Sequence, residues 1–398
     1  MIKPEIRYEL EVAYGSQYGL EEALAAIESL KNRAPSCGKK VKEFEEAFAD
    51  FCGTEYALAA TSATTGLSLA GIAAGVGPGD EVITTPISWI ATAMAFSTLG
   101  ADTVFCDVDP RTLNLDASVL EARITPRTKA IVPVHLYGQC CEMDAIREIA
   151  DRHGVVVIED CAHNPGGEYL GKKSGSLGDM GVFSFHQQKN MSTLGEGGMI
   201  TTDDKELFDR ALSYRSLCCR TYGGSSKYLP IDEEAHPMGK EYWKLYFDDM
   251  GYNFRMTDIQ AAVGIEQLKK LDGHNATRIR LAERLTAGLS GIEGLTLPYV
   301  DPRGTHVFHV YVVQVEEEFP LSKQDFMWVL YTEKGIKAWS HYMPIHLTDP
   351  YRAQGHAEGE CPVAEAAHGK YVTLPVHPRL TDEAIDYMTG CIRELAEA

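Results

Sequence analysis

Lys189, in FSFHQQKNMSTLGEGGMI, and Asp160, in VVVIEDCAHN, pair a reactive side chain with a sheltered setting. Asp160 ends an aliphatic run, Val155 to Ile158, that reads as a buried strand. Open α/β sheets place ligands at the C-terminal mouths of such strands. Lys189 follows a second apolar strand, Gly181–Phe185, and precedes Gly195-Glu196-Gly197-Gly198, a tight turn into the strand Met199–Thr202. An amine and a carboxylate on adjacent strand ends are what pyridoxal phosphate (PLP) needs. The lysine forms a Schiff base with the aldehyde, and the acid keeps the pyridine nitrogen protonated. Such a lysine must be neutral in use. Bringing its pKa down from about 10.4 by roughly three pH units costs about 4 kcal/mol, which a buried pocket can supply and an open surface cannot. A half-buried acid, for its part, wants a cationic partner, and a protonated ring nitrogen meets that need.

Six further residues fit the same chemistry. Ser62, Ala63 and Thr64 begin a helix and offer hydroxyls and free N–H groups to a phosphate. Ser184, five residues before the lysine, adds another hydroxyl. Trp89, just after a strand end, offers a flat ring to cover the cofactor. His163, three residues beyond Asp160, stands where it can reach the phenolic edge. Each also has an ordinary structural reading, as a cap, a core ring or a buried histidine.

The elements that must position these residues alternate. Strands are predicted at Tyr56–Ala60, Glu81–Thr85, Thr103–Asp107, Ala130–Val134, Val155–Glu159, Gly181–Phe185 and Met199–Thr202. Helices are predicted at Leu20–Leu30, from Val41 to a stop at Gly53, and at Trp89–Leu99, Ala117–Arg123, Met143–His153 and Lys205–Tyr214. Apolar strands alternating with amphipathic helices imply a mostly parallel sheet covered on both faces, an α/β fold. Cys218 to Met250 breaks the rhythm, being too long for an ordinary connection. A helix capped by Thr257 and ended by Gly273 follows, then a second, polar helix to about Leu289. The remainder reads as α+β: THVFHVYVVQV as one strand, SKQDFMWVLYTEKG as a helix, IKAWSHYMPIH as a strand entering a loop, and a closing helix. We expect a large domain over residues 1–275 and a small α+β domain over 276–398.

The totals agree. A chain of 398 residues exceeds the usual size of a single core. A net charge of −20 argues against a nucleic-acid partner. Ten cysteines without a CxxC spacing suggest reduced thiols rather than a disulfide framework, and no metal site is expected. No apolar h-region opens the chain and no run approaches a membrane span, so a cytoplasmic protein without membrane partners is expected.

The ordered blocks SATTGL, GDEVITTP, SWIATA, VPVHLYG, VIEDCAHNPGG, GDMGVFSFHQQKN, GEGGM, GYNFRM and QAAVGIEQL resemble the DegT/StrS sugar aminotransferases, PLP-dependent enzymes of fold type I. The resemblance runs from about residue 35 to the end, through HYMPIH and LPVHPRLT. It implies that Lys189 is the Schiff-base lysine and proton shuttle, and that Asp160 partners the pyridine nitrogen. Trp89 would stack on the ring, and His163 would stand beside the phenolate. Ala63, Thr64 and Ser184 match phosphate-binding positions, with Ala63 where the family has glycine. Asn253 in GYNFRM would reach the phosphate of a second subunit, implying a homodimer with shared sites. Substrate contacts would come from His186, Tyr222, Arg255, His341, Tyr342 and His346.

The implied reaction moves an amino group from L-glutamate or L-glutamine, through pyridoxamine phosphate, to a keto-sugar, with a keto-cyclitol as the alternative acceptor. Sugar dehydratases of the same fold replace the lysine with histidine, which Lys189 argues against. A PLP-binding regulator would need a DNA-binding domain, and none is appended. A Rossmann enzyme would need its glycines after a strand, whereas GVGPGD precedes one.

Overall fold

The computed structural model describes residues 10–11, 15–31, 36–219, 225–226, 229–230 and 246–397. Seven strands make the central sheet: β1 (Tyr56–Ala60), β2 (Glu81–Thr84), β3 (Asp102–Phe105), β4 (Thr128–Val132), β5 (Val156–Asp160), β6 (Met180–Ser184) and β7 (Gly198–Thr202). Their spatial order is β1-β7-β6-β5-β4-β2-β3, and only β7 runs against its neighbours. The fold is therefore the mostly parallel α/β sheet of fold type I, flanked by helices.

Alternation along the strands explains the layering. Ile158, Val182 and Ile200 join the core on one face, with Leu67 and Ala70 of helix α3 (Ala63–Ala73) and Phe96 of α4 (Ala91–Ser97). Their neighbours Val157, Phe183 and Met199 point to the other face. There Phe48 of α2 (Lys39–Cys52) packs edge-on against Phe183 and Phe185, and Phe44 packs tilted against Phe185. A strand buried on both sides is apolar along most of its length, as these runs are, with polar residues gathered toward their C-terminal ends. α2 stops at Gly53, whose φ of 76° lets it close the helix in the left-handed region.

A second layer follows. Helix α7 runs unbroken from Asp258 to Leu289, 32 residues, capped by Thr257. The predicted stop at Gly273 is corrected: a Cβ there would meet nothing within 4 Å, and Gly273 lies on the exposed side. Glycine costs a helix interior about 1 kcal/mol, and packing on both sides outweighs that. Ala261 and Leu271 pack with α2, and Leu281, Leu285 and Leu289 pack in the C-terminal core. That core lies against the antiparallel strands β8 (Leu295–Thr296), β9 (Tyr311–Val315) and β10 (Tyr371–Leu374), with helices α8 (Lys323–Lys334) and α9 (Asp382–Ala396).

The strand predicted over THVFHVYVVQV is also shorter, beginning at Tyr311. Val307 N–H donates to Gly138 O at 2.8 Å, and Phe308 takes a φ of 43°, so this stretch turns against the Gly138 loop before entering the sheet. No helix among the described residues is long and apolar enough to cross a membrane. All ten cysteines are free thiols, nine of them buried.

Candidate active site

The C-terminal edge of the sheet holds a cavity of about 660 Å³. Register builds its phosphate end. Gly198 at the start of β7 lies between Ala60 of β1 and Ser184 of β6. Two residues past Ala60, Ser62 caps α3, its Oγ accepting from Thr65 N at 3.2 Å. The first helical bond is donated by Gly66 to Ser62 O, so the N–H groups of Ala63 and Thr64 at the helix start lie ahead of the ladder. Ser62, Ala63, Thr64 and Ser184 all line the cavity. A Cβ on Gly198 would stand 2.5 Å from the Ser62 carbonyl carbon and oxygen, so only glycine lets the helix start settle this closely onto the sheet. The result is a cradle of amide and hydroxyl donors at a helix N-terminus, the right donor set for a phosphate.

Asp160 ends β5 and is 3% exposed. Thr92 Oγ1 donates to its Oδ2 at 2.7 Å, and Ala162 N–H donates to Oδ1 at 3.0 Å. Among the described residues it makes no ion pair. Burial raises its pKa, against the pull of these two donors and the charge of Lys189. It is a dry carboxylate facing the cavity and lacking a bonded cation, which suits a protonated pyridine nitrogen.

Lys189 lines the same cavity. Burial lowers its amine to about 8, partly offset by attraction from Asp160. Gly15 packs directly on this loop: a Cβ there would stand 2.2 Å from the Lys189 carbonyl oxygen. Cradle, acid and amine together fit PLP.

Around them sit three histidines kept neutral. His163 is 2% exposed and stacks on His309 with centroids 4.5 Å apart. Tyr342 Oη lies 3.2 Å from its Nε2. Burial holds His163 and His309 well below the usual range, and His341 falls to about 4, with the charge of Lys189 adding to each. His186 lines the cavity half-buried, also lowered by burial. Trp89 lies just before α4 rather than inside it, 61% exposed at the cavity wall, its ring 6.2 Å from that of Tyr342.

Three predicted residues are not brought here. His346 is fully buried away from the cavity, its Nε2 2.8 Å from Glu365 Oε1 and its ring tilted against Phe105. Its place in the substrate cleft is corrected on that ground: the 3-10 turn Ile345–Leu347 turns it into the wall. Asn253 is exposed, and Arg255 half-buried, outside the cavity of this chain. Tyr222 lies outside the described residues. Sequence reasoning missed Thr92, the donor to Asp160, and His309, Lys337 and Trp339 in the wall. Thr92 had a signal, since it lies one helical turn past Trp89 in SWIATA. The others come from the distant C-terminal layer and had none.

Comparison with known proteins agrees with this geometry. The chain is 41% identical to GDP-perosamine synthase of Caulobacter vibrioides over 361 residues, covering 90% of this chain and 91% of that protein. It is 39% identical to the spore coat polysaccharide biosynthesis protein SpsC of Bacillus subtilis, covering 95% of each. Its fold matches the PLP form of the putative sugar aminotransferase Spr1654 from Streptococcus pneumoniae, with TM-score 0.88, 26% identity and coverage of 98% and 99%. Residues 17–393 match the DegT/DnrJ/EryC1/StrS aminotransferase family. The chain belongs to that family and is a PLP-dependent sugar aminotransferase.

Proposed function

We propose that this enzyme transfers the amino group of L-glutamate or L-glutamine to the ketone of a nucleotide-linked keto-sugar, with Lys189 as the Schiff-base lysine. The observation that carries the reading is the pairing, in one cavity, of a lysine amine lowered to about 8 with the buried carboxylate of Asp160. The similarity to a protein named for making GDP-perosamine, a nucleotide-linked amino sugar, supports the acceptor class.

When bound, PLP supplies an aldehyde that condenses with amines and a protonated ring that draws electrons from the carbon losing its proton. Ala63 N–H, Thr64 N–H and the Ser184 hydroxyl hold its phosphate. Asp160, fixed by Thr92 and Ala162, keeps the proton on the ring nitrogen. Trp89 covers one side. Lys189 Nζ would hold the aldehyde of the cofactor, and as a free amine it would take up and give back a proton. Because its pKa is near 8, it can do both near neutral pH. His163 and His309 remain uncharged and place no competing cation beside the ring. We place the exposed Asn253 in the site of a second copy, which would make the working unit a homodimer.

A half-reaction screen tests the acceptor. The pyridoxamine form is mixed with candidate ketones while the absorbance of the aldehyde form is followed. Return of that absorbance with nucleotide-linked 3- or 4-keto-sugars supports the reading. Return only with a free keto-inositol sinks it in favour of a cyclitol acceptor.

A further inference from the structure

Lys337, Trp339 and His341 alternate along one stretch of chain, and all three line the cavity. The stretch is pinned to the C-terminal sheet. Trp339 N–H donates to Thr373 O at 3.0 Å, Thr373 N–H returns a bond at 2.7 Å, and His341 Nδ1 lies 3.0 Å from Thr373 Oγ1. Ala338 between them is buried. Alternate residues therefore share a side, and the row from Lys337 to His341 spans at most about 13 Å.

The row changes in character along its length. His341, at its inner end, is buried enough for its pKa to fall to about 4 under burial and the charge of Lys189. Trp339, in the middle, is 53% exposed. Lys337 lies beyond it. Among the described residues lining the cavity, it is the one cation besides Lys189, because the histidines there are held neutral. The protein as a whole carries −20, so an anionic substrate meets a repelling field and needs a local cation to be held. On the cavity wall, a half-exposed indole offers a flat apolar face to a ligand.

We propose that Lys337 and Trp339 form the subsite for the nucleoside diphosphate of the acceptor, Lys337 meeting the diphosphate and Trp339 giving a flat face to the nucleoside. This deepens the proposed function and rests on its nucleotide-linked acceptor. The two residues act on specificity rather than on chemistry. They hold the part of the substrate that does not react, so their binding energy is spent on placing the ketone near Lys189.

The test uses the PLP-loaded enzyme and the variants Lys337→Gln, Lys337→Arg, Trp339→Leu and Trp339→Phe. Calorimetry measures the binding of GDP, UDP and dTDP. Kinetics compare a nucleotide-linked 4-keto-sugar with the same ketose carrying no nucleotide. At least one nucleoside diphosphate should bind the wild-type enzyme. Lys337→Gln and Trp339→Leu should each weaken that binding about tenfold. The preference in kcat/KM for the linked over the unlinked ketose should fall by about the same factor. Trp339→Phe and Lys337→Arg should recover most of both. A merely structural lesion would lower both substrates alike and leave the preference intact. If the wild-type enzyme binds a nucleoside diphosphate and the variants bind it equally well, the subsite is wrong while the acceptor class stands. If the wild-type enzyme binds none and aminates only unlinked ketones, the acceptor class fails and takes the subsite with it.

Discussion

Two lysines in this molecule, one beside the central sheet and one on a helix of the C-terminal layer, are lowered toward neutrality by the same force. Burial lowers Lys189, at the edge of the central sheet, to about 8, and it lowers Lys323, at the start of α8, to about 8 as well. Their surroundings differ in every other respect. Lys323 Nζ donates to Ser340 Oγ at 2.9 Å and to the His368 carbonyl, and it sits 4.9 Å from the centre of the Tyr371 ring. Its donors are spent. Lys189 Nζ makes no hydrogen bond among the described residues, faces a cavity and feels the charge of Asp160. A lowered pKa records burial; reactivity needs unspent donors, room for a substrate and a matched acid.

The neighbouring acids Glu159 and Asp160 repeat the contrast on one strand. Glu159 is fully buried and accepts from the N–H groups of Gly175, Leu177 and Gly178, with His135 Nε2 at 2.7 Å. It is a closed structural knot. Asp160, one residue on, points to the opposite face of the sheet and into the cavity.

The strongest way to break the lysine comparison is to remove each amine. Lys189→Ala should lower kcat/KM by at least about 10⁴-fold, since it deletes both the covalent anchor and the proton carrier. Reduction with borohydride should then fail to attach the cofactor, and attachment at another lysine would contradict the assignment. Lys323→Met should leave kcat within a few-fold and cost on the order of 1–3 kcal/mol of stability in a denaturant melt, through its abandoned acceptors.

Next in size, Asp160→Asn should reduce kcat by about 10²–10⁴-fold, the usual range for losing a positioned acid–base group. Without cofactor its effect on stability should have the opposite sign. The folded carboxyl has a raised pKa, so the folded state binds its proton more tightly, and the wild-type chain loses stability as pH rises above the ordinary value of 3.8. Cofactor-free Asp160→Asn should therefore melt higher than cofactor-free wild type at pH 7, with the gap closing toward pH 3.8.

Gly198→Ala should cost about 1–3 kcal/mol of stability, because the new methyl meets backbone of the Ser62 cap that cannot swing aside. PLP affinity, read by fluorescence titration, should fall with it. The smallest effect separates the two lysines by pH. Lys189 has a depressed pKa, so the folded protein carries its charging penalty in full below pH 8, and the penalty fades as pH approaches 10.5. Cofactor-free Lys189→Met should thus be more stable than wild type at pH 7, with the advantage shrinking at high pH. Lys323→Met, which also loses its bonds, should show no such gain.

Much of the site was readable before any fold was known. Asp160 and Ser184 close buried strands, and Ser62 begins a helix, so local pattern alone put them on one sheet edge. His346 misled because its place in the cleft rested on the family resemblance alone; the 3-10 turn at Ile345–Leu347 puts it in the wall beside Glu365. Gly273 misled because a glycine's local cost is legible, whereas the packing that overrides it belongs to residues far along the chain.

What the sequence by itself determined is the set of short-range facts: strands buried on both faces, a capped helix start, a lysine after a strand, and a family pattern carried by ordered blocks. These depend on neighbours a few residues apart, and periodicity records them. Only the tertiary structure decided which groups converge from afar. Thr92 reaches Asp160 across 68 positions, and Tyr342 reaches His163 across 179. The Lys337–Trp339–His341 row joins the cavity from the C-terminal layer. Those meetings are set by how layers pack, and no local pattern encodes the distance between two layers.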